Sequence, residues 1–342
     1  MAVIRGEELT YTKLQALDFG RTICFQSVSA LEVHGPHLPV GMDLFMARWM
    51  AEETARRFSE THPDWTVVLL PHLPVGTDEL PLPGSVNVKP HTFYRLLWDQ
   101  VRSLVEAGYR YIVLTNGHGG PRHAAAIENV CRRMSRRYGV SVFSPSILAL
   151  HRIISGQRFA EVEAVLGRAL SAEEREGLLA GEHAGGWETA FQLAADVKTV
   201  EPTWQSLQRD EPPKWGPLVR FGEWWIARRE CKGLSGEKLR EMIGGLAGSI
   251  GWLLNARYGY AGPAVTYKGT PAVASAELGR AFREVMVRDC LEIVEQVTGG
   301  SLPAESVRSI ASDHTVIQPL FFRRVGLAAL AVLLGLLLLV KA

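Results

Sequence analysis

Three short segments of the sequence gather residue types that bind metal ions or move protons. The first is Leu31-Glu32-Val33-His34-Gly35-Pro36-His37-Leu38-Pro39-Val40-Gly41-Met42-Asp43. In extended backbone Glu32 and His34 project to the same side, because strand side chains alternate. A carboxylate beside an imidazole suits zinc or manganese. Asp43 stands where a helix begins, so its alternative role is an N-cap, and His37 has the alternative of a hydrogen bond within a proline-rich turn. The second segment is Thr115-Asn116-Gly117-His118-Gly119-Gly120, directly after Tyr111-Ile112-Val113-Leu114. Glycines on both sides of His118 let the backbone approach a ligand or metal closely. The alternatives are a glycine-rich turn with His118 as a bystander, or an anion cradle at a helix N-terminus. Neither the Gly-x-Gly-x-x-Gly nor the Gly-x-x-x-x-Gly-Lys-Ser/Thr phosphate pattern is present, however. The third segment is Gly181-Glu182-His183-Ala184-Gly185-Gly186-Trp187-Glu188-Thr189-Ala190. Here the glycine pair separates His183, in a loop, from Glu188, in the first turn of a helix. A glutamate is favoured there by the helix dipole alone.

These segments follow stretches that read as strands: Arg21 to Val28, Thr66 to Leu70, Tyr111 to Thr115 and Val140 to Phe143. Between them Leu44 to Phe58, Thr92 to Ala107 and Ala124 to Arg137 carry helical spacing, and Gly108 ends the second of these. The alternation predicts an α/β fold of three layers, with a mostly parallel central sheet and helices on both faces. Polar clusters placed just after strands then fall where open α/β sheets bind ligands. A charged helical stretch from Gly156 to Leu179 reads as a lid or an oligomer contact. Glu201 to Trp225 is loop-rich in Pro and Trp, and helices resume at Gly236 to Leu254 and Ser275 to Val297.

The chain has 342 residues, net charge +1, 47% hydrophobic and 21% charged residues. That balance is ordinary for a globular protein and offers no bulk field for nucleic acid. The four cysteines lie far apart without Cys-x-x-Cys pairs, which argues against cysteine-based zinc or a disulfide scaffold. The N-terminus lacks a signal-peptide pattern, and the expectation is a cytoplasmic catalytic domain. Residues 1–300 read as that domain and 301–324 as a linker. The run 325–340 is uninterrupted Val, Gly, Leu and Ala, flanked by Arg323-Arg324 and Lys341. As a helix it would reach roughly 24 Å, somewhat short of a hydrocarbon core of about 30 Å. It is expected to be a transmembrane anchor with the arginines on the cytoplasmic side; a buried or oligomer-forming terminal helix is the alternative.

Taken together, the three segments resemble the creatininase (creatinine amidohydrolase) family. They match its Glu-x-His-Gly-x-His-Leu-Pro-x-x-x-Asp, Asn-Gly-His-Gly-Gly and His-Ala-Gly-x-x-Glu-Thr patterns, in that order. The likeness runs from about Leu14 to Val297, and Pro74-Val75-Gly76 and Pro83-Gly84-Ser85 look like the family's substrate-side loops. The resemblance implies two divalent ions, zinc or manganese or iron, that share an aspartate and a water. It implies Glu32, His34, Asp43 and His118 as metal ligands, with Asp43 as the bridge. Creatininase carries a glutamate two residues after the Asn-Gly-His histidine, where this chain has Gly120, so Glu188 becomes the candidate fifth ligand, or else a general base. His183 would shuttle a proton or polarise the scissile carbonyl. Val33, Pro121, Gly186 and Ala190 also depart from the family's usual residues without removing a proposed ligand. The implied reaction is hydrolysis of a C–N bond in a cyclic amide, a formamide or a short peptide, by a homo-oligomer and in the best-known case a hexamer. The competing expectation is a catalytically inactive scaffold or binding protein of the same fold, tethered to the membrane. An unrelated zinc peptidase is disfavoured because His-Glu-x-x-His is missing.

Overall fold

The computed structural model describes residues 3–178, 182–207 and 266–309. The expected helix Gly236 to Leu254, the Trp- and Pro-rich stretch beyond residue 207 and the apolar run 325–340 lie outside the described residues. Among those described, no helix is long and apolar enough to cross a membrane.

Six strands form the sheet: β1 (Ile4–Arg5), β2 (Thr22–Ser29), β3 (Thr66–Leu69), β4 (Leu73–Pro74), β5 (Tyr111–Thr115) and β6 (Ser141–Phe143). Their order is β1-β3-β2-β5-β6, with β4 alongside the end of β2, and every ladder among the described residues is parallel. β2 is the middle strand. Thr22 lies opposite Thr66 on one side, and Ser27 lies opposite Thr115 on the other. Its side chains alternate between two cores, and all eight of its residues are buried, the polar Thr22, Gln26, Ser27 and Ser29 included. Cys24 and Val28 face Phe93, Leu97 and Val101 of α3 (Pro90–Glu106) and Ile127, Val130 and Met134 of α4 (Pro121–Tyr138). Ile23 and Phe25 face Ala51, Ala55 and Phe58 of α2 (Met42–Thr61), together with Ile293, Val294 and Val297 of the last described helix (Ala276–Thr298). The three-layer expectation holds.

The other described helices are α1 (Tyr11–Gln15), α5 (Pro145–Ile154), α6 (Phe159–Leu166), α7 (Ala172–Leu178) and α8 (Gly186–Asp196), which makes Ala276–Thr298 α9. A third apolar cluster holds α8 between α2 and α9, through Met42, Met46, Met50, Trp187, Phe191, Phe282 and Met286. Each such side chain contributes about 1.5–3 kcal/mol when buried. Trp187 therefore belongs to this core, and its ring stacks 5.7 Å from that of Phe191.

Two helices begin earlier than their apolar spacing indicates, because each opens on a proline (Pro90, Pro121) whose fixed φ suits a first helical turn; α5, which the sequence did not indicate, opens on Pro145 in the same way. The charged stretch from Gly156 is two short helices divided by Gly167, which sits at φ 71°. The body also does not end at residue 300. Ala304 and Val307 are buried in the core beside β6 and α9, and the Ser309 N–H donates to the Glu128 carboxylate at 2.6 Å. Residues 301–309 are thus packed rather than a free linker.

Contact between α8 and α9 depends on Gly279. A Cβ there would lie 1.8 Å from the Ala190 carbonyl oxygen. Gly279→Ala must push the helices apart, and we expect it to lower stability by about 1–3 kcal/mol, read from the denaturant midpoint.

Candidate metal centre

The adjacent carboxyl ends of β2 and β5 feed two loops that cross the top of the sheet. Asn116 ties them together: its side-chain oxygen accepts from Ser29 Oγ at 3.2 Å and from the His118 N–H at 2.9 Å, and its amide donates to the His118 carbonyl at 2.6 Å. Gly117 is where the second loop touches α2. A Cβ on it would stand 2.4 Å from the Asp43 carbonyl and 3.1 Å from the Ala47 nitrogen. Only glycine permits that approach, and the approach sets His118 beside Asp43. Asp43 itself does not cap α2. The cap position is Gly41, without a side-chain bond, and the carboxylate is only 1% exposed and turned inward.

Six side chains named from the sequence meet here. His118 Nδ1 lies 3.0 Å from Glu32 Oε2 and 3.0 Å from Asp43 Oδ2. His34 Nε2 lies 3.1 Å from Asp43 Oδ1 and 3.5 Å from Glu188 Oε2. The His183 ring is 4.3 Å from that of His34, and its Nδ1 is 3.9 Å from Glu32 Oε2. The donor atoms fall into three compact groups: Glu32–Asp43–His118, His34–Asp43–Glu188 and Glu32–His34–His183. Asp43 supplies a different oxygen to each of the first two.

Main-chain atoms fix the histidines. His34 Nδ1 pairs with the Glu32 carbonyl at 2.9 Å, His118 Nε2 with the Thr77 carbonyl at 3.1 Å, and His183 Nε2 with the Val33 carbonyl at 2.7 Å. A carbonyl only accepts, so each of these nitrogens carries a proton and the other ring nitrogen is the one that faces the centre, where it offers a lone pair whenever the ring is neutral. Carboxylates are fixed in the same way. The Leu80 N–H donates to Glu32 Oε1 at 2.5 Å, and the Ala184 N–H donates to Glu188 Oε2 at 2.6 Å. Ala184 reaches that position from φ 49°, the left-handed region. Glu188 thus does what a glutamate in a first helical turn ordinarily does and also joins the cluster. Glu182 accepts the Glu188 N–H at 3.0 Å, which pins the start of α8.

Burial sets the electrostatics. It pushes the Asp43 carboxyl up, yet His34 and His118 outweigh it and hold the group below the usual carboxylate range. Burial likewise opposes charge on His34, but Asp43 and Glu188 raise it to about 10. Burial lifts Glu188 to about 7 and lowers His183 to about 4. Both Asp43 oxygens, Glu32 Oε2 and His34 Nε2 are buried without a hydrogen bond. They lie close together but are not aimed at one another, as ligands converging on a common third atom are. Buried polar atoms are almost always satisfied, and a mixed carboxylate and imidazole set suits zinc or manganese. The residues fit a divalent cation pair.

Sequence reasoning missed the supports. Thr77, Leu80 and Val33 act through the main chain, which leaves no side-chain signature. Glu79 also went unread. It is buried with both oxygens unbonded, close enough to His118 and Glu32 to feel each, and burial raises it to about 7. His37 is buried and bonded to Thr189 Oγ1 at 2.8 Å, so it joins the first segment to the third instead of closing a local turn. Gly120 has no room for a side chain: a Cβ there would be 2.4 Å from His118 Nε2 and 2.8 Å from Asp78 Cβ.

Residues 7–294 match the family model of creatinine amidohydrolase, and the chain belongs to the creatininase family. It is 34% identical over 94 residues to the 3-dehydro-scyllo-inosose hydrolase of Thermotoga maritima, a match spanning 27% of this chain and 28% of that protein. A creatininase described as an Mn form superposes with TM-score 0.56 at 18% identity, covering 86% of this chain and 98% of the other. A creatininase variant described as Zn-Zn type gives 0.54 at 17%, with coverage of 86% and 98%. At such identities the likeness to these two is one of fold.

The His34 shift has a measurable consequence. Its folded pKa is raised, so the stability it contributes is full below about 6.5 and is lost as pH climbs toward about 10. We expect the melting temperature of metal-free protein to fall between about pH 7 and 10, and added Mn²⁺ or Zn²⁺, replacing the proton, to suppress that fall.

Proposed function

We propose that this chain is a divalent-metal-dependent amidohydrolase that opens a C–N bond of a cyclic amide, a formamide or a short peptide. The observation that carries the proposal is Asp43, a buried carboxylate whose two unbonded oxygens serve two separate ligand groups. Glu32 and His118 would hold one cation with it, and His34 and Glu188 the other. The manganese and zinc of the creatininase structures support the same ions here, with iron as a further candidate. Bound cations of this kind lower the pKa of water toward neutrality and polarise a carbonyl.

The residues of the chain do the rest. Asp43 spans both positions and keeps them in register. Glu188, with Oε2 oriented by Ala184, acts as a ligand rather than a base. His183 stays neutral because burial lowers it to about 4, and Val33 holds its Nε2 proton, so Nδ1 is the nitrogen presented to substrate. That nitrogen accepts a proton from the attacking water and delivers it to the leaving nitrogen. Water and amide become a carboxylic acid and an amine. Assembly into a homo-oligomer and membrane attachment through residues 325–340 belong to the same proposal, and neither enters the chemistry.

A second reading is favoured by the similarity to the 3-dehydro-scyllo-inosose hydrolase. There the substrate named is 3-dehydro-scyllo-inosose rather than an amide. A turnover screen holding both classes separates the two readings.

At unchanged metal content, His183→Gln is expected to lower kcat by about 10²- to 10⁴-fold, and unchanged turnover removes His183 from the mechanism. Chelation should abolish activity and Mn²⁺ or Zn²⁺ restore it. Less than one ion bound per chain, with no activation by metal, would favour the scaffold reading.

A further inference from the structure

We propose that His123 is a positioning residue that holds one of the two cation sites and leaves the other untouched, an inference that rests on the two-cation reading above. His123 lies in the first turn of α4, fully buried, its ring stacked on Phe93 at 4.4 Å and edge-on to His118 at 5.0 Å. It touches no ligand through a hydrogen bond. Instead its Nδ1 accepts the Thr77 N–H at 3.3 Å, and the carbonyl of that same Thr77 accepts Nε2–H of His118 at 3.1 Å. Three residues further on, the Leu80 N–H donates to Glu32.

Asp78 fastens the loop between these points a second time. It sits at φ 78°, accepts the Arg122 N–H at 2.6 Å and pairs with the Arg122 guanidinium. The segment Thr77–Leu80 is therefore held at two points by Arg122 and His123 and in turn holds two ligands. Both ligands, His118 and Glu32, belong to the Glu32–Asp43–His118 group. His34 and Glu188 are held elsewhere, by the Glu32 main chain and by Ala184 and Glu182. Loosening the loop should free one cation position and spare the other. Partners of this indirect kind change metal affinity by about 10–100-fold.

The test is a Mn²⁺ titration of the metal-free full chain, counting ions and their affinities by calorimetry. Wild type is expected to bind two per chain. His123→Leu, which removes the acceptor, should keep one ion at wild-type affinity and weaken the other by about 10–100-fold. His123→Asn has a similar size but offers an acceptor near the place of Nδ1, and it should restore the second ion. Arg122→Ala alters a half-exposed side chain, leaves the core intact and should weaken the same ion by a smaller factor. Added to His118→Ala, which already lacks that site, His123→Leu should change nothing further. Added to His34→Ala, it should weaken the single remaining ion. The proposal is overturned if His123→Leu and Arg122→Ala bind both ions as wild type does, if Leu and Asn at position 123 behave alike, or if the ion lost is the one His34 holds. Fewer than two ions on wild type is a different result: it refutes the two-cation reading and, with it, this proposal.

Discussion

A carboxylate taken out of water must be given something in return, and Asp43 is a demanding case. It is almost fully buried, neither oxygen accepts a hydrogen bond, and Glu32 and Glu188 crowd the same space. Isolated ions in such surroundings cost several kcal/mol even after relaxation. Without metal the compensation falls to His34 and His118, which are forced toward the protonated form. Two divalent cations, if bound as proposed, would supply the same charge and release those histidines to act as lone-pair donors. The rest of the site follows from this requirement: histidines with one nitrogen locked on a carbonyl, and carboxylates with one oxygen locked on an N–H.

The fold meets the requirement by contact between main chains. Parallel pairing of β2 with β5 sets two loops side by side above the sheet, and Gly117 lets one of them rest on the first turn of α2. α8 arrives from the middle of the sequence, held between α2 and α9 by Met, Phe and Trp side chains. Each of the two ligand groups has its own support, Thr77–Leu80 for one and Glu182–Ala184 for the other. Among the described residues, Asp43 alone is shared by the Glu32–Asp43–His118 and His34–Asp43–Glu188 groups. The precision of the centre therefore depends on packing well outside it, as at the contact of Gly279 with Ala190.

Side-chain chemistry was legible in the sequence, and main-chain chemistry was not. Glu32, His34, Asp43, His118, His183 and Glu188 could be named because their types and spacing are unusual, and the structure brings all six together. The four main strands could be placed because each carries a short β-branched or apolar run. By contrast, nothing in Thr77, Leu80 or Val33 announces a carbonyl or N–H that orients a ligand. Glu79 and His123 sit in a proline-rich loop and an ordinary helix start, so no pattern marks them. α5 was overlooked because Ser144-Pro145 reads as the end of a strand as readily as the start of a helix. The packing of residues 301–309 rests on two small apolar side chains, Ala304 and Val307, and on the Ser309 contact with Glu128, which composition does not reveal.

The central claim is that Asp43 bridges two cations, and anomalous diffraction from crystals grown with Mn²⁺ or Zn²⁺ measures it directly. The account predicts two peaks, one among Glu32, Asp43 and His118 and one among His34, Asp43 and Glu188, each within bonding distance of a different Asp43 oxygen. A single peak, or none, with Asp43 hydrogen-bonded to protonated His34 and His118 at neutral pH, would contradict it.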